Sequence, residues 1–139
     1  MTNSCDNRWT ITGPKAELDR FLAEYITYDD GKPRLNLFDE CMAMPGYWRK
    51  YDDCTKLDRE GDAIKLEILT PNSQVPSVVL DVIAERFPSL MIEGDCCEFM
   101  MPFSCEFRLH GDNWDYKDTS AQLEAELDEL FRKLDAEGR

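Results

Sequence analysis

The chain has a single histidine, His110, and no two cysteines in a C-x-x-C spacing. Structural zinc sites are built from such paired ligands, so no metal is expected. The seven glycines stand singly, which excludes a glycine-rich loop that cradles phosphate. No apolar run approaches the ~18–20 residues of a membrane span. The opening MTNSCDNRW has no apolar stretch of the signal-peptide kind. The expectation is therefore a cytoplasmic protein whose six cysteines are reduced. Positive charge is also scarce: 16 basic residues face 29 acidic ones, for a net charge of −13. Residues 1–92 carry −5 and residues 93–139 carry −8, so the acidity concentrates in the C-terminal third. Such a field repels nucleic acid and membrane surfaces and favours a basic protein partner.

What is present is enough for a core. A chain of 139 residues fits one domain and can bury roughly 68% of its unfolded surface. Arg8 to Thr12 reads as a short strand with Trp9 and Ile11 on one face. Leu18, Phe21, Leu22 and Tyr25 give the next segment, roughly 14–26, a helical apolar stripe. Asp29, Asp30, Gly31 and Pro33 mark a turn, followed by a strand at Leu35–Phe38. Residues 39–62 show no clear periodicity and read as a long insertion. Ala63 to Leu69 alternates as a strand, with Ile64, Leu66 and Ile68 inward. A second helix over 76–87 starts at Pro76 and stops at Pro88, since proline disfavours helical geometry in the residue before it.

Two strands follow, at 90–97 and 103–110. Phe103, Cys105, Phe107 and Leu109 alternate with polar residues, and Phe107 is expected in the core. Folding this hairpin about Met101 sets Cys97 opposite Cys105. That register puts Asp95, not Ile92, on the apolar face, so a bulge near Gly94–Asp95 is expected. Thr119 to Gln122 fits a capping box for a C-terminal helix. Leu123, Leu127, Leu130, Phe131 and Leu134 form its apolar stripe, which is expected to dock.

The order strand, helix, strand, strand, helix, strand predicts an α+β fold, a ferredoxin-like split βαβ sandwich. It has an extra hairpin strand and an appended C-terminal helix. Residues 1–111 would form the domain, with the 39–62 insertion, and 112–139 an acidic helix packed on it.

NSCDNRWTITG, LNLFDECMAMP, VIAERFPSL and CEFMMPF occur here in an order and spacing that resemble the YubB-like proteins of plasmids and phages. The likeness spans most of residues 3–110, with Phe38, Met44, Pro45, Glu98 and Phe103 at family positions. Where that family tends to have Asn-Trp-Gly-Thr-Lys-Trp, this chain has Asp52-Asp53-Cys54-Thr55-Lys56-Leu57, sharing only Thr-Lys. The resemblance implies a ferredoxin-like domain and a mobile-element origin, and no established chemistry.

No catalytic constellation emerges. Cys96 and Cys97 are adjacent and point to opposite faces of a strand, and Cys105 and His110 are on opposite faces too. Neighbouring carboxylates would raise thiol pKa values and disfavour a reactive thiolate. No cofactor is expected. The segment 39–62 interleaves Tyr47, Trp48 and Tyr51 with Arg49 and Lys50, a pattern suited to protein binding or to a lid over the sheet. Glu124, Glu126, Asp128 and Glu129 would form an acidic ridge on the C-terminal helix. The expectation is a non-enzymatic protein that binds a basic protein partner through Tyr47, Trp48, Tyr51 and these four carboxylates. Its sharpest form is an inhibitor or nucleic-acid mimic aimed at a host defence or nucleic-acid-handling system. A self-associating accessory module and a small-ligand domain with an unseen site are the alternatives. The sequence leaves the oligomeric state open.

Overall fold

Alternating apolar residues in β1 (Ser4–Thr12) place Cys5, Asn7, Trp9 and Ile11 on one face of the strand, and all four are buried. In a computed structural model, which describes residues 4–36, 54–71, 77–98 and 103–138, β1 lies inside a six-stranded antiparallel sheet. α1 (Lys15–Tyr25) follows, then a separate two-stranded sheet of β2 (Ile26–Asp29) and β3 (Lys32–Leu35). Next come β4 (Cys54–Glu60), β5 (Ala63–Pro71) and α2 (Ser77–Arg86). The chain ends with β6 (Met91–Glu98), β7 (Phe103–His110), β8 (Asn113–Asp118) and α3 (Ser120–Glu137). The main sheet runs β4-β5-β1-β6-β7-β8, and the fold is α+β.

One face of the sheet holds the core. Trp9, Ile11, Ile64, Leu66, Ile68 and Ile92 share it, by strand parity and by register. Leu18, Phe21 and Tyr25 of α1 and Val79, Leu80 and Ile83 of α2 join the same apolar cluster, so both helices cover that face. Each buried aliphatic side chain there contributes about 1.5–3 kcal/mol. Phe21, Tyr25 and Phe87 form an aromatic trio with centroids 5.8–5.9 Å apart. The Arg20 guanidinium lies 4.4 Å from the Phe87 ring centre and donates to the Arg86 carbonyl oxygen, tying α1 to the end of α2. Arg59 of β4 reaches Asp19 of α1 at 2.9 Å.

Several expectations change. The β6–β7 hairpin pairs Glu98 with Phe103 and Cys96 with Cys105, one residue away from the predicted register. Ile92, Gly94 and Cys96 then share the buried face without any parity break. The predicted bulge at Gly94–Asp95 is absent, and β6 pairs continuously from Met91 to Glu98. The register shift falls instead in β4, between Cys54 and Lys56. Gly94 has a different reason. A Cβ there would lie 2.5 Å from Phe107 and 2.9 Å from Trp9, so the bare backbone makes room for two rings. Phe107 itself is half-buried against the core rather than enclosed by it.

Three strands appear where none was expected: β2, β4 and β8. β4 occupies the last part of the supposed 39–62 insertion, and β8 occupies 113–118, assigned above to the C-terminal helix segment. Each is one arm of a hairpin turned by a Gly-Asp pair, Gly61–Asp62 and Gly111–Asp112. The glycines sit at φ +59° and +58°, which such turns require at their first position. Similarly, Asp30 and Gly31, at φ 51° and 78°, close the β2–β3 hairpin where a simple turn was expected. Leu35 ends β3 rather than starting a strand, and Phe38 lies outside the described residues.

Candidate interaction surfaces

α3 is fastened to the body at its first turn. The Thr119 N–H donates to the Ser104 carbonyl oxygen at 2.9 Å, and the Ser104 N–H donates to the Ser120 hydroxyl at 3.0 Å. The Ser104 and Thr119 hydroxyls also bond to each other. The expected capping box does not form, because the Thr119 hydroxyl is engaged with Ser104. The Asp118 carboxylate takes the capping role instead, accepting the Ser120 N–H at 2.8 Å; hydrogen bonding from the Ser120 side chain, and then from this N–H, holds its pKa below the ordinary value.

Beyond that turn the helix leaves the body. No residue of α3 is buried. Leu123 and Leu127 are half-buried, while Leu130, Phe131 and Leu134 are 50%, 62% and 54% exposed. The expected docked helix is therefore a projecting one. Glu124, Glu126, Asp128 and Glu129, the acidic ridge read from the sequence, are all exposed. The helix's two cations, Arg132 and Lys133, follow them.

The sheet face opposite α1 and α2 forms a shallow concavity of about 740 Å3. Acids and bases are interleaved across the strands there, except where Asp95 faces Glu106. One row reads Lys56, Glu67, Arg8, Asp95, Glu106, Lys117, and the next reads Asp58, Lys65, Thr10, Glu93, Arg108, Asp115. Arg8 reaches Asp95 at 2.9 Å and Arg108 reaches Glu93 at 3.6 Å. Opposite charges facing each other across strands stabilise a sheet by roughly 0.2–1 kcal/mol per pair. That role accounts for the face. Five bases stand among six acids in these two rows, so the face carries little net charge.

At the β8 edge the helices end and aromatic rings are uncovered. Phe107 stacks on Trp114 at 5.4 Å, and Trp114 stacks on Tyr116 at 6.5 Å. Trp114 and Tyr116 are 39% and 44% exposed. Alternation in NWDYKD was the sequence signal for this strand and its rings.

Three thiols lie inside. Cys5, Cys96 and Cys105 are buried together against Phe103, and the Cys96 and Cys105 sulfurs are 2.7 Å apart. Sharing its proton with Cys105 pushes the Cys96 thiol pKa up, and burial does the same to Cys97 on the other face. Cys96 and Cys97, held protonated, are poor nucleophiles, while the bond from Cys96 lowers the pKa of Cys105, which is buried. No group of three His, Cys, Asp or Glu side chains suited to a metal occurs among the described residues. Among them, too, no helix is long and apolar enough to cross a membrane. Tyr47, Trp48 and Tyr51, the other predicted partner-binding residues, lie outside the described residues, as does most of the 39–62 segment proposed as lid or binding loop.

No family model, curated protein or solved structure matches this chain.

Proposed function

We propose that the protein is a non-enzymatic binding module that presents α3 to a basic protein partner. The observation behind this reading is that an 18-residue helix bearing four exposed carboxylates, Glu124, Glu126, Asp128 and Glu129, has no buried residue. Exposed side chains of this kind add little to folding, within about 0.5 kcal/mol each. Their crowding on one helix slightly opposes it. A partner gives the arrangement a use. An inhibitor that occupies a basic, nucleic-acid-handling surface of a host system is the sharpest form of the proposal. The sheet supports a ferredoxin-like reading: β1, β4, β5 and β6 stand in the order β4-β5-β1-β6, with α1 and α2 on one face. On this reading β7 and β8 are an added hairpin. The resemblance to YubB-like proteins rests on the residues quoted above and adds a mobile-element origin to the proposal.

The test is affinity capture with the intact chain, then titration of the captured protein. Changing Glu124, Glu126, Asp128 and Glu129 together to lysine is expected to weaken binding at least tenfold while leaving Tm within a few degrees. Asp81→Lys with Glu85→Lys, on the exposed side of α2, should leave affinity unchanged. Binding should weaken as salt rises, because exposed charges are screened over about 10 Å at 0.1 M. Equal binding by the four-lysine variant at low salt would overturn the reading.

A further inference from the structure

We propose that the apolar stripe of α3 pairs with α3 of a second copy of this chain, as an antiparallel two-helix coil. Leu123, Leu127, Leu130 and Leu134 recur at alternating spacings of four and three, the seam of a coiled coil. The outer half of that seam is open: Leu130 and Leu134 are more than half exposed, with Phe131 beside them. Among the described residues the adjoining sheet face offers no apolar cover, since it carries the charged side chains of Arg8, Glu67, Asp95 and Glu106.

Charge along the helix selects both the occupant and the direction. The first half carries Glu124, Glu126 and Asp128 and no base, whereas both bases, Arg132 and Lys133, are in the second half with Glu129, Asp135 and Glu137. An antiparallel copy lays each acidic half beside the half that holds the cations. Leu127 then meets Leu130 of the other copy, and Leu123 meets Leu134. On the flank of the same seam, Glu126 meets Lys133 of the other copy, once on each side. A parallel copy would bring the two acidic halves together and offer neither pair. Antiparallel packing also opposes the two helix dipoles. Because the hydrogen bonds described above hold α3 to the body at its first turn, the two bodies sit at opposite ends of a pair about 27 Å long. A parallel pair would press two chains of −13 side by side.

The pairing is independent of the basic partner proposed above, since it is read on the purified chain alone. Sedimentation equilibrium over a concentration series should show the mass rising from 16.2 kDa towards twice that value. Leu130→Glu alters an exposed side chain, so its Tm should stay near that of the parent while the mass stays monomeric. Lys133→Glu should weaken association at least tenfold, and the double change Glu126→Lys with Lys133→Glu should restore it. Restoration identifies the antiparallel register, because in a parallel pair these two positions never meet. A parent chain that stays at 16.2 kDa up to millimolar concentration overturns the proposal. So does a Leu130→Glu variant that still associates, or a double variant that does not recover. A stripe covered only when a different protein is added would equally overturn it.

Discussion

A methyl group on Gly94 would meet the Phe107 ring at 2.5 Å and Trp9 at 2.9 Å. Neither ring can retreat freely: Trp9 is buried, and Phe107 is held between Trp9 and Trp114. Gly94→Ala should therefore destabilise the fold by about 1–3 kcal/mol, as forced overpacking does. The midpoint of urea unfolding should fall with an unchanged slope, and an unmoved midpoint would show that the rings yield. Asp6 makes a prediction of another kind. Burial and then Glu67 raise its pKa above 3.8, so the folded chain binds its proton more tightly than the unfolded one. Stability then falls as pH rises from the unfolded value through the folded value. Asp6→Asn, which cannot ionise, should raise Tm at neutral pH, and the gain should vanish below 3.8. A gain that persists at pH 3 would assign the effect to something other than ionisation. Gly94 also shows why residue-scale reading went astray. Glycine in a strand signals either a bulge or a close approach, and only the cross-strand register distinguishes them.

Among the elements, the strands with apolar alternation were legible: β1, β5, β6 and β7, and with them both core helices. Their periodicity follows from which side meets the core, and sequence displays that directly. β4 and β8 were not read, because their visible faces are charged or aromatic and lie at the sheet's edges. Their Gly-Asp turns were the available signal. For α3 the stripe was legible but its destination was not, since amphipathicity says that one side is covered and not by what. Its separation from the core has a measurable result. Amides of α3 beyond Glu124 should exchange with solvent through local opening, many-fold faster than those of β1, which need global unfolding. Uniform protection across β1 and α3 in dilute protein would contradict the projecting helix.

Across the whole molecule, charge is distributed in two ways. The open sheet face mixes acids and bases in nearly equal number, whereas the rest of the chain bears most of the −13. Self-repulsion of that size opposes compactness. Raising sodium chloride from about 10 mM to about 0.5 M shortens the screening length from ~30 Å to a few ångströms and should raise Tm. A fall in Tm would mean that the cross-strand ion pairs outweigh the repulsion. Net charge was read from the sequence without error, but the ladder needed the strand register.

The fastening of α3 at Ser104, Thr119 and Ser120 separates two kinds of selection. Substitutions in the sheet are filtered by whether the chain still folds. Those at the exposed positions Leu130, Phe131 and Leu134 are filtered mainly by what the helix touches outside its own body. The tail can therefore drift, or be exchanged for another helix, at a pace set by its partners, while the scaffold beneath it stays fixed.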